Sequence, residues 1–345
     1  MPHVTVTTGA RLHFGLLAHA PGAPRRFGGV GLMVERPGFQ VSATLVGESS
    51  TASLLADRTV PSDDYLGPSE WRSRVLELVH RCREVSRRQG CQSAGNTRWA
   101  LNAVIPSHVG LGSGTQLGLA VAQAWTQLHR IHSTSENGSA NADSTVLAQL
   151  AARGVRSALG IHGFQHGGLL VEAGKRSSDQ ISPLVARANF PSDWRILLVC
   201  PSDERGLSGS AEVAAFAALP SMSDGVSAAL CRMVLLELLP AVHEADFETC
   251  SDALFRFGWL IGEYFAPAQG GVFASQRMAR LVDWLRRKGV AGVGQSSWGP
   301  MVFALCPDAG VADALQRDLL ATNWGDCDIV CVAAKNSGAH VDFNP

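Results

Sequence analysis

The chain has 345 residues, 46% of them hydrophobic and only 17% charged, enough to build one large or two ordinary domains around a full core. A formal net charge of −1 excludes global electrostatic attraction to nucleic acid or to an anionic membrane. No run reaches the roughly 18 apolar residues of a membrane span, and residues 1–14 alternate like a strand rather than forming a basic-then-apolar leader, so the expected location is cytoplasmic.

In chain order, residues 4–8 and 39–46 read as strands and the polar stretch 47–69 as a loop. Residues 70–88 place Trp71, Val75, Leu78, Val79 and Cys82 at helical spacing. Residues 97–105 return to strand, 106–114 form a glycine-rich loop, and the small-residue run 115–129 reads as a helix. A Ser/Asn-rich surface loop is expected over 133–145, a helix over 146–159 and a short strand over 167–172. An apolar strand, 194–200, ends at Pro201. Helices follow at 208–219, 225–239, 247–265 and 275–288. The tail alternates strands at 290–294 and 301–306, a helix at 311–320 and a strand at 329–334. Strands and helices mix in both halves, so the class is α/β or α+β. The polar stretch 175–191, with Pro183 and Pro191, suggests a boundary that divides the chain into 1–180 and 181–345.

The eight cysteines are scattered, many within apolar segments, which favours reduced thiols over disulfides or a zinc site. Of the 29 basic residues only Lys175, Lys288 and Lys335 are lysines. Codon bias is one explanation. Convergence of a few arginines on an anionic substrate is another, because the guanidinium fork suits phosphate and carboxylate.

The segment Pro106–Gln116, containing Gly110, Leu111, Gly112, Ser113, Gly114 and Thr115, lies between a strand and a helix. Glycines let backbone N–H groups turn inward, and the helix adds its unsatisfied N-terminal donors. No lysine follows the last glycine, so this is not a Walker A loop. On the loop alone, anion binding and a plain packing turn both stand open.

Two further segments change that balance. Ala10-Arg11-Leu12-His13-Phe14-Gly15 near the start and Gly292-Val293-Gly294-Gln295-Ser296-Ser297-Trp298-Gly299-Pro300 near the end join the loop to form an ordered set. It resembles the three motifs of the GHMP kinase superfamily. The resemblance implies a two-domain GHMP kinase-like fold of α+β or α/β class, with a ribosomal-S5-like N-terminal domain, a ferredoxin-like C-terminal domain and an active site between them. Closer detail, in Gly28-Gly29-Val30-Gly31, the loop ending at Gln116, the block Arg156–Gly168 and Gly294–Pro300, resembles the β-ribofuranosylaminobenzene 5'-phosphate synthase (β-RFAP synthase) family of that superfamily. GHMP kinases often carry an Asp near the position of Leu159-Gly160-Ile161-His162; this chain has no carboxylate between Arg156 and Gly168.

The resemblance implies condensation of phosphoribosyl pyrophosphate with 4-aminobenzoate or 4-hydroxybenzoate, releasing CO2 and pyrophosphate, in methanopterin-type cofactor biosynthesis. The ring carbon bearing the carboxylate attacks the anomeric carbon, and loss of CO2 restores aromaticity. The ring is its own electron sink, so no organic cofactor is expected. A divalent metal, with Mg2+ the expected ion, would help stabilise the departing pyrophosphate. Its ligands are not assignable from sequence; Glu35 and Glu172 are weak candidates. Arg11, His13, Arg156 and His162 are the expected catalytic residues. Arg25, Arg26, the loop residues 110–115 and Gly294, Gln295, Ser296 and Ser297 are the expected phosphate and substrate contacts. His108 and Lys175 read as structural and solvated, while Tyr264 and Gln269 are possible cleft residues. Small-molecule partners and a homodimer are expected. The alternatives are an ATP-dependent GHMP small-molecule kinase and a ligand-binding regulator that has lost catalysis.

Overall fold

The computed structural model describes residues 1–20, 23–46, 63–91, 95–129, 143–177, 180–206 and 209–345. Most of the two expected polar loops, 47–69 and 133–145, lies outside the described residues.

In the first part of the chain, strands β1 (His3–Thr7), β2 (Ala10–Ala18), β3 (Phe27–Val34), β4 (Gln40–Val46) and β5 (Asp64–Leu66) precede helix α1 (Ser69–Arg88). Strand β6 (Asn96–Ala103) leads into α2 (Ser113–Leu128), α3 (Ser144–Ala151) and α4 (Leu159–His166). Strands β7 (Leu169–Glu172) and β8 (Leu184–Ala188) complete this part. The second part contains β9 (Arg195–Pro201), α5 (Gly209–Ala218), α6 (Asp224–Met233), α7 (Leu239–Glu244), α8 (Phe247–Gln269) and α9 (Gln276–Arg287). It closes with β10 (Val293–Gln295), β11 (Val302–Cys306), α10 (Ala309–Leu320), β12 (Cys327–Val332) and β13 (His340–Asn344).

Among the described residues three sheets form, ordered β13-β1-β4-β6-β5, β2-β3-β7-β8 and β10-β11-β9-β12. The last is fully antiparallel, and its chain order β9, β10-β11, β12 with intervening helices is the β-α-β-β-α-β ferredoxin-like arrangement. One face of it packs on α9 and α10 through Leu197, Val199, Leu281, Leu285 and Leu319. The other presents Ile196, Leu198, Phe303 and Leu305 to the main core.

Helix α2 is the axle of the first part. Small residues Ala120, Ala122 and Ala124 alternate with Leu117, Leu119, Val121 and Trp125, and all are buried. A helix apolar on every side must be enclosed, and α2 is, touching α1, α3, α4, β1 and β4. Its lower end is braced by a buried network. Arg83 donates to both carboxylate oxygens of Asp63 at 2.6 and 2.9 Å, Thr97 donates its hydroxyl to the same carboxylate, and the guanidinium covers the Trp125 ring.

Several sequence expectations are corrected. Residues 146–159 are not one helix: α3 stops at Ala151 because Ala152 turns left-handed (φ 52°), and α4 begins only at Leu159. Residues 225–239 belong to a longer helical run that continues through a wide turn, Val234–Leu238, into α7. Pro240 at the start of α7 lacks an N–H and cannot continue the ordinary ladder. This run, Asp224–Glu244, is long and apolar enough by length and composition to cross a membrane, which the count of consecutive apolar residues missed. One side of it packs Leu230, Met233, Val234 and Leu238 into the core. Strand pairing also crosses the expected division at 180/181. Strand β8 pairs with β7, and β13 returns to pair with β1, because each supplies a missing edge to a first-part sheet.

Asp63→Ala leaves Arg83 buried without its carboxylate. It should cost about 3–5 kcal/mol of unfolding free energy in urea titration.

Candidate active site

Two glycine-bearing loops meet at the head of α2. Gly112 is the N-cap residue of the helix, and the preceding loop is held from both sides. Arg11 N–H on β2 donates to Leu111 O (3.1 Å), and Met301 N–H donates to Val109 O (3.2 Å). Ser296 is a clasp: its hydroxyl donates to Gly110 O (2.8 Å) and accepts from His13 N–H (3.0 Å). Ser297 N–H then donates to His13 O (2.9 Å). Backbone meets backbone here with no side chain between. Gly110 has φ +91°, and a Cβ on it would stand 2.4 Å from Ser296 O; a Cβ on Gly299 would stand 2.3 Å from Gly110 N.

Above this junction opens a cleft of about 720 Å³. Arg11, Arg74, Arg153 and Arg156 line it, against Glu70 and Glu212 as its lining carboxylates. A chain of nearly zero net charge therefore concentrates positive charge at one place. Arg11 Nε, Arg153 Nε and Arg156 Nη1 are buried and have no acceptor among the described residues. Buried donors without partners are costly, and an anion would satisfy them. Burial pulls the Arg11 guanidinium down to about 10, against the raising influence of Glu172 and Glu212, so it stays charged at neutral pH. Burial, then the repulsion of neighbouring Arg74 and Arg81, lowers Arg153 as well. His13 is held well below the usual imidazole value by burial first, then by Arg11 and Arg156. At neutral pH it is uncharged, with one ring N–H and one acceptor nitrogen.

The expected site residues divide. Arg11, His13, Gly110, Gly112, Ser113, Gly114, Thr115, Arg156, Gln295 and Ser297 all face the cleft. Leu111 packs into the core and Gly294 lies against the Phe303 ring. Gln295 uses its amide internally, accepting from Ala274 N–H and donating to Ser297 O. Arg25 donates to Gly174 O, and exposed Arg26 forms a backbone bridge with Lys175; neither lines the cleft. His162 is buried within α4 with Nε2 donating to Ser182 O at 2.7 Å, away from the cleft. Glu172 accepts from Ser157 Oγ (2.5 Å) and Ala158 N–H (2.8 Å), which caps α4, and Glu35 is exposed elsewhere. Lys175 is buried and donates to Gly154 O, contrary to the solvated reading. Tyr264 turns away to His19 and Pro220 O, whereas Gln269 does line the cleft. His108 is exposed at the cleft's edge, and its carbonyl accepts from Gly206 N–H.

Sequence reading missed Arg153, Glu212 and Phe216. Arg153 reaches the cleft because the helix breaks at Ala152; the following Gly154, a helix-stop signal, was the available clue. Glu212 and Phe216 lie one turn apart on α5, where nothing in the sequence marks them. Glu212 pairs with Arg156 Nη2 at 2.9 Å, and the Arg156 guanidinium lies 4.6 Å above the Phe216 ring.

Residues 238–325 match the family described as GHMP kinases C terminal. Along 97% of its length the chain is 26% identical to β-ribofuranosylphenol 5'-phosphate synthase of Methanothermobacter thermautotrophicus, covering 97% of that protein. The synthase of the same name from Archaeoglobus fulgidus is 29% identical over 97% of this chain and 98% of its own. Homoserine kinase from Cytophaga hutchinsonii superposes with a TM-score of 0.62 at 17% identity, over 99% of this chain and 97% of that one. Mevalonate diphosphate decarboxylase from Enterococcus faecalis gives 0.63 at 14% identity over the full length of both. These structural likenesses bear on the fold, which is GHMP kinase-like.

Gly110→Ala should abolish turnover, because the new Cβ collides with the Ser296 carbonyl at a positive φ; retained activity would place the loop junction outside the site. The depressed His13 gives a second expectation. Below about pH 6.5 the unfolded chain takes up a proton at this histidine that the folded chain refuses, so stability falls as pH falls through that range. Urea titrations at pH 7 and pH 5 should show a smaller loss for His13→Gln than for the parent.

Proposed function

We infer, for a chain that belongs to the β-RFAP synthase family within the GHMP kinase superfamily, that it is a phosphoribosyl transferase with coupled decarboxylation. It condenses phosphoribosyl pyrophosphate with 4-hydroxybenzoate or 4-aminobenzoate, releasing CO2 and pyrophosphate, in methanopterin-type cofactor biosynthesis. The observation that carries this reading is the composition of the cleft. A cationic floor of loop backbone and arginines adjoins aromatic side chains, and the two substrates are a polyanion and a flat aromatic acid.

The residues present suit such a pair. Ser113 and Thr115 hydroxyls at the head of α2, with Arg11 and Arg153, can hold phosphoryl oxygens. Fixed donors are most effective where charge develops, on the departing pyrophosphate, because they need no reorganisation as it leaves. Neutral His13 beneath them can donate one further hydrogen bond without adding charge.

Among the described residues no group of three or more His, Cys, Asp or Glu could hold a metal ion. The donor set fits Mg2+ carried mainly by the substrate's own phosphates and water, with Glu70 the carboxylate at hand, since Glu212 is paired with Arg156. Bound there, the ion would neutralise part of the pyrophosphate charge. A cytosolic homodimer belongs to the same reading. The exposed Leu235 and Leu236 support association.

Purified protein incubated with Mg2+, phosphoribosyl pyrophosphate and carboxyl-labelled 4-hydroxybenzoate or 4-aminobenzoate should release labelled CO2 without ATP. ATP consumption with an alcohol acceptor, and no CO2, would overturn the synthase reading in favour of a kinase.

A further inference from the structure

We propose that the aromatic acid is seated on the wall formed by Phe216, Phe265 and Trp298, with its carboxylate turned to Arg156, and that Glu212 weakens the grip of Arg156. The proposal rests on the synthase reading and names where its second substrate binds.

The wall is a single packed unit at the side of the cleft. Phe216 of α5 and Trp298 of the third loop stack at 4.4 Å with 20° between their planes. Phe265 of α8 meets Trp298 edge-on at 5.0 Å and 82°. All three line the cleft. A phosphate gains nothing from such a surface, whereas a flat ring gains both apolar burial and ring–ring contact. The Trp298 indole N–H is buried and has no acceptor among the described residues. Indole N–H is a donor only, so it calls for an oxygen on whatever packs there.

The cation lies directly beside this wall. The Arg156 guanidinium covers Phe216 at 4.6 Å, giving ring surface and positive charge within the length of one benzoate. Its two terminal nitrogens differ. Nη2 lies 2.9 Å from the Glu212 carboxylate, while Nη1 is buried and has no acceptor among the described residues. An aromatic carboxylate can receive Nη1 but must share the guanidinium charge with Glu212, so the pair is weaker than an unshared Arg–carboxylate pair.

That limitation suits the chemistry. The C–C bond forms between the ring carbon and the anomeric carbon as the C–O bond to pyrophosphate breaks. The bond from the ring to the carboxylate then breaks, its electron pair returns to the ring, and neutral CO2 departs. No oxidant, reductant or external proton is needed. Every interaction that holds the carboxylate as an anion is lost as CO2 forms, so a tight grip would stabilise the ground state alone and raise the barrier. Glu212 shares the guanidinium charge and places a negative charge near the carboxylate that must give up its own. Arg156 then orients without clamping.

The test pairs equilibrium binding with turnover. Calorimetry measures the affinity for 4-hydroxybenzoate and 4-aminobenzoate, and labelled CO2 release measures kcat and both KM values. Glu212→Gln should bind the acid about five- to tenfold more tightly and release CO2 about tenfold more slowly, at unchanged KM for the donor. Phe216→Leu, on a partly exposed helix, should weaken acid binding about tenfold with the donor KM again unchanged. Trp298→Phe, which keeps a ring and removes the N–H, should weaken it less than Phe216→Leu does. A parent enzyme that releases CO2 while Phe216→Leu binds the acid normally overturns the seat. Weaker acid binding in Glu212→Gln, or a donor KM that moves instead, overturns the role of Glu212. If the parent binds the acid with these variant effects yet releases no CO2, the seat stands and the synthase reading fails.

Discussion

Everything in the site depends on one backbone contact. The loop before α2 and the loop after β10 touch at Gly110 and Gly299, so closely that neither position has room for a methyl group. Ser296 stitches the contact, with one hydroxyl serving Gly110 O and His13 N–H together. Strand β2, the helix-capping loop and the C-terminal third of the chain are thereby fixed to one another. The N-terminus of α2, enclosed on all sides by the first part of the molecule, can then present its donors at a defined place.

This arrangement explains how a chain of net charge −1 can bind a polyanion. Affinity for nucleic acid grows with a charged surface, but affinity for a small phosphate ester needs only a few converging donors. Four arginines line the cleft, and three of them carry a buried N–H without an acceptor among the described residues. Such donors are expensive in an empty site and become favourable when filled. His13 adds polarity without charge, since burial and two neighbouring guanidiniums keep it neutral. The adjoining aromatic wall gives the cleft a second character, which a single polyanionic ligand would not require.

The three glycine-rich segments were legible because each has a local reason for its residues: a turn, a helix cap or a close approach. Arg11 and His13 were legible for a related reason, since they sit in the strand that carries the first motif. The errors are equally local in origin. His162 and Arg156 stood six residues apart in one block, yet the break before α4 sends Arg156 to the cleft while His162 is tied to Ser182 O. Glu172, a weak metal candidate by sequence, accepts from Ala158 N–H at the start of α4. Arg25 and Arg26 looked like a phosphate grip; Arg25 donates to Gly174 O, and Arg26, bridged through its main chain to Lys175, is exposed away from the cleft.

The sequence by itself determined the mixed class, most of the helices and the loops able to approach a phosphate. These rest on periodicity, turn chemistry and glycine placement, all of which act over a few residues. Tertiary structure alone decided which arginines serve the cleft and what faces them. Glu212 and Phe216 come from α5, roughly 56 to 60 residues beyond Arg156 by their numbering, and no local pattern marks such a pairing. It also decided that β13 joins β1, because an unpaired sheet edge can be satisfied by any strand the fold brings to it. Long-range contacts of this kind depend on the path of the whole chain, and that path is set by collective burial rather than by neighbouring residues.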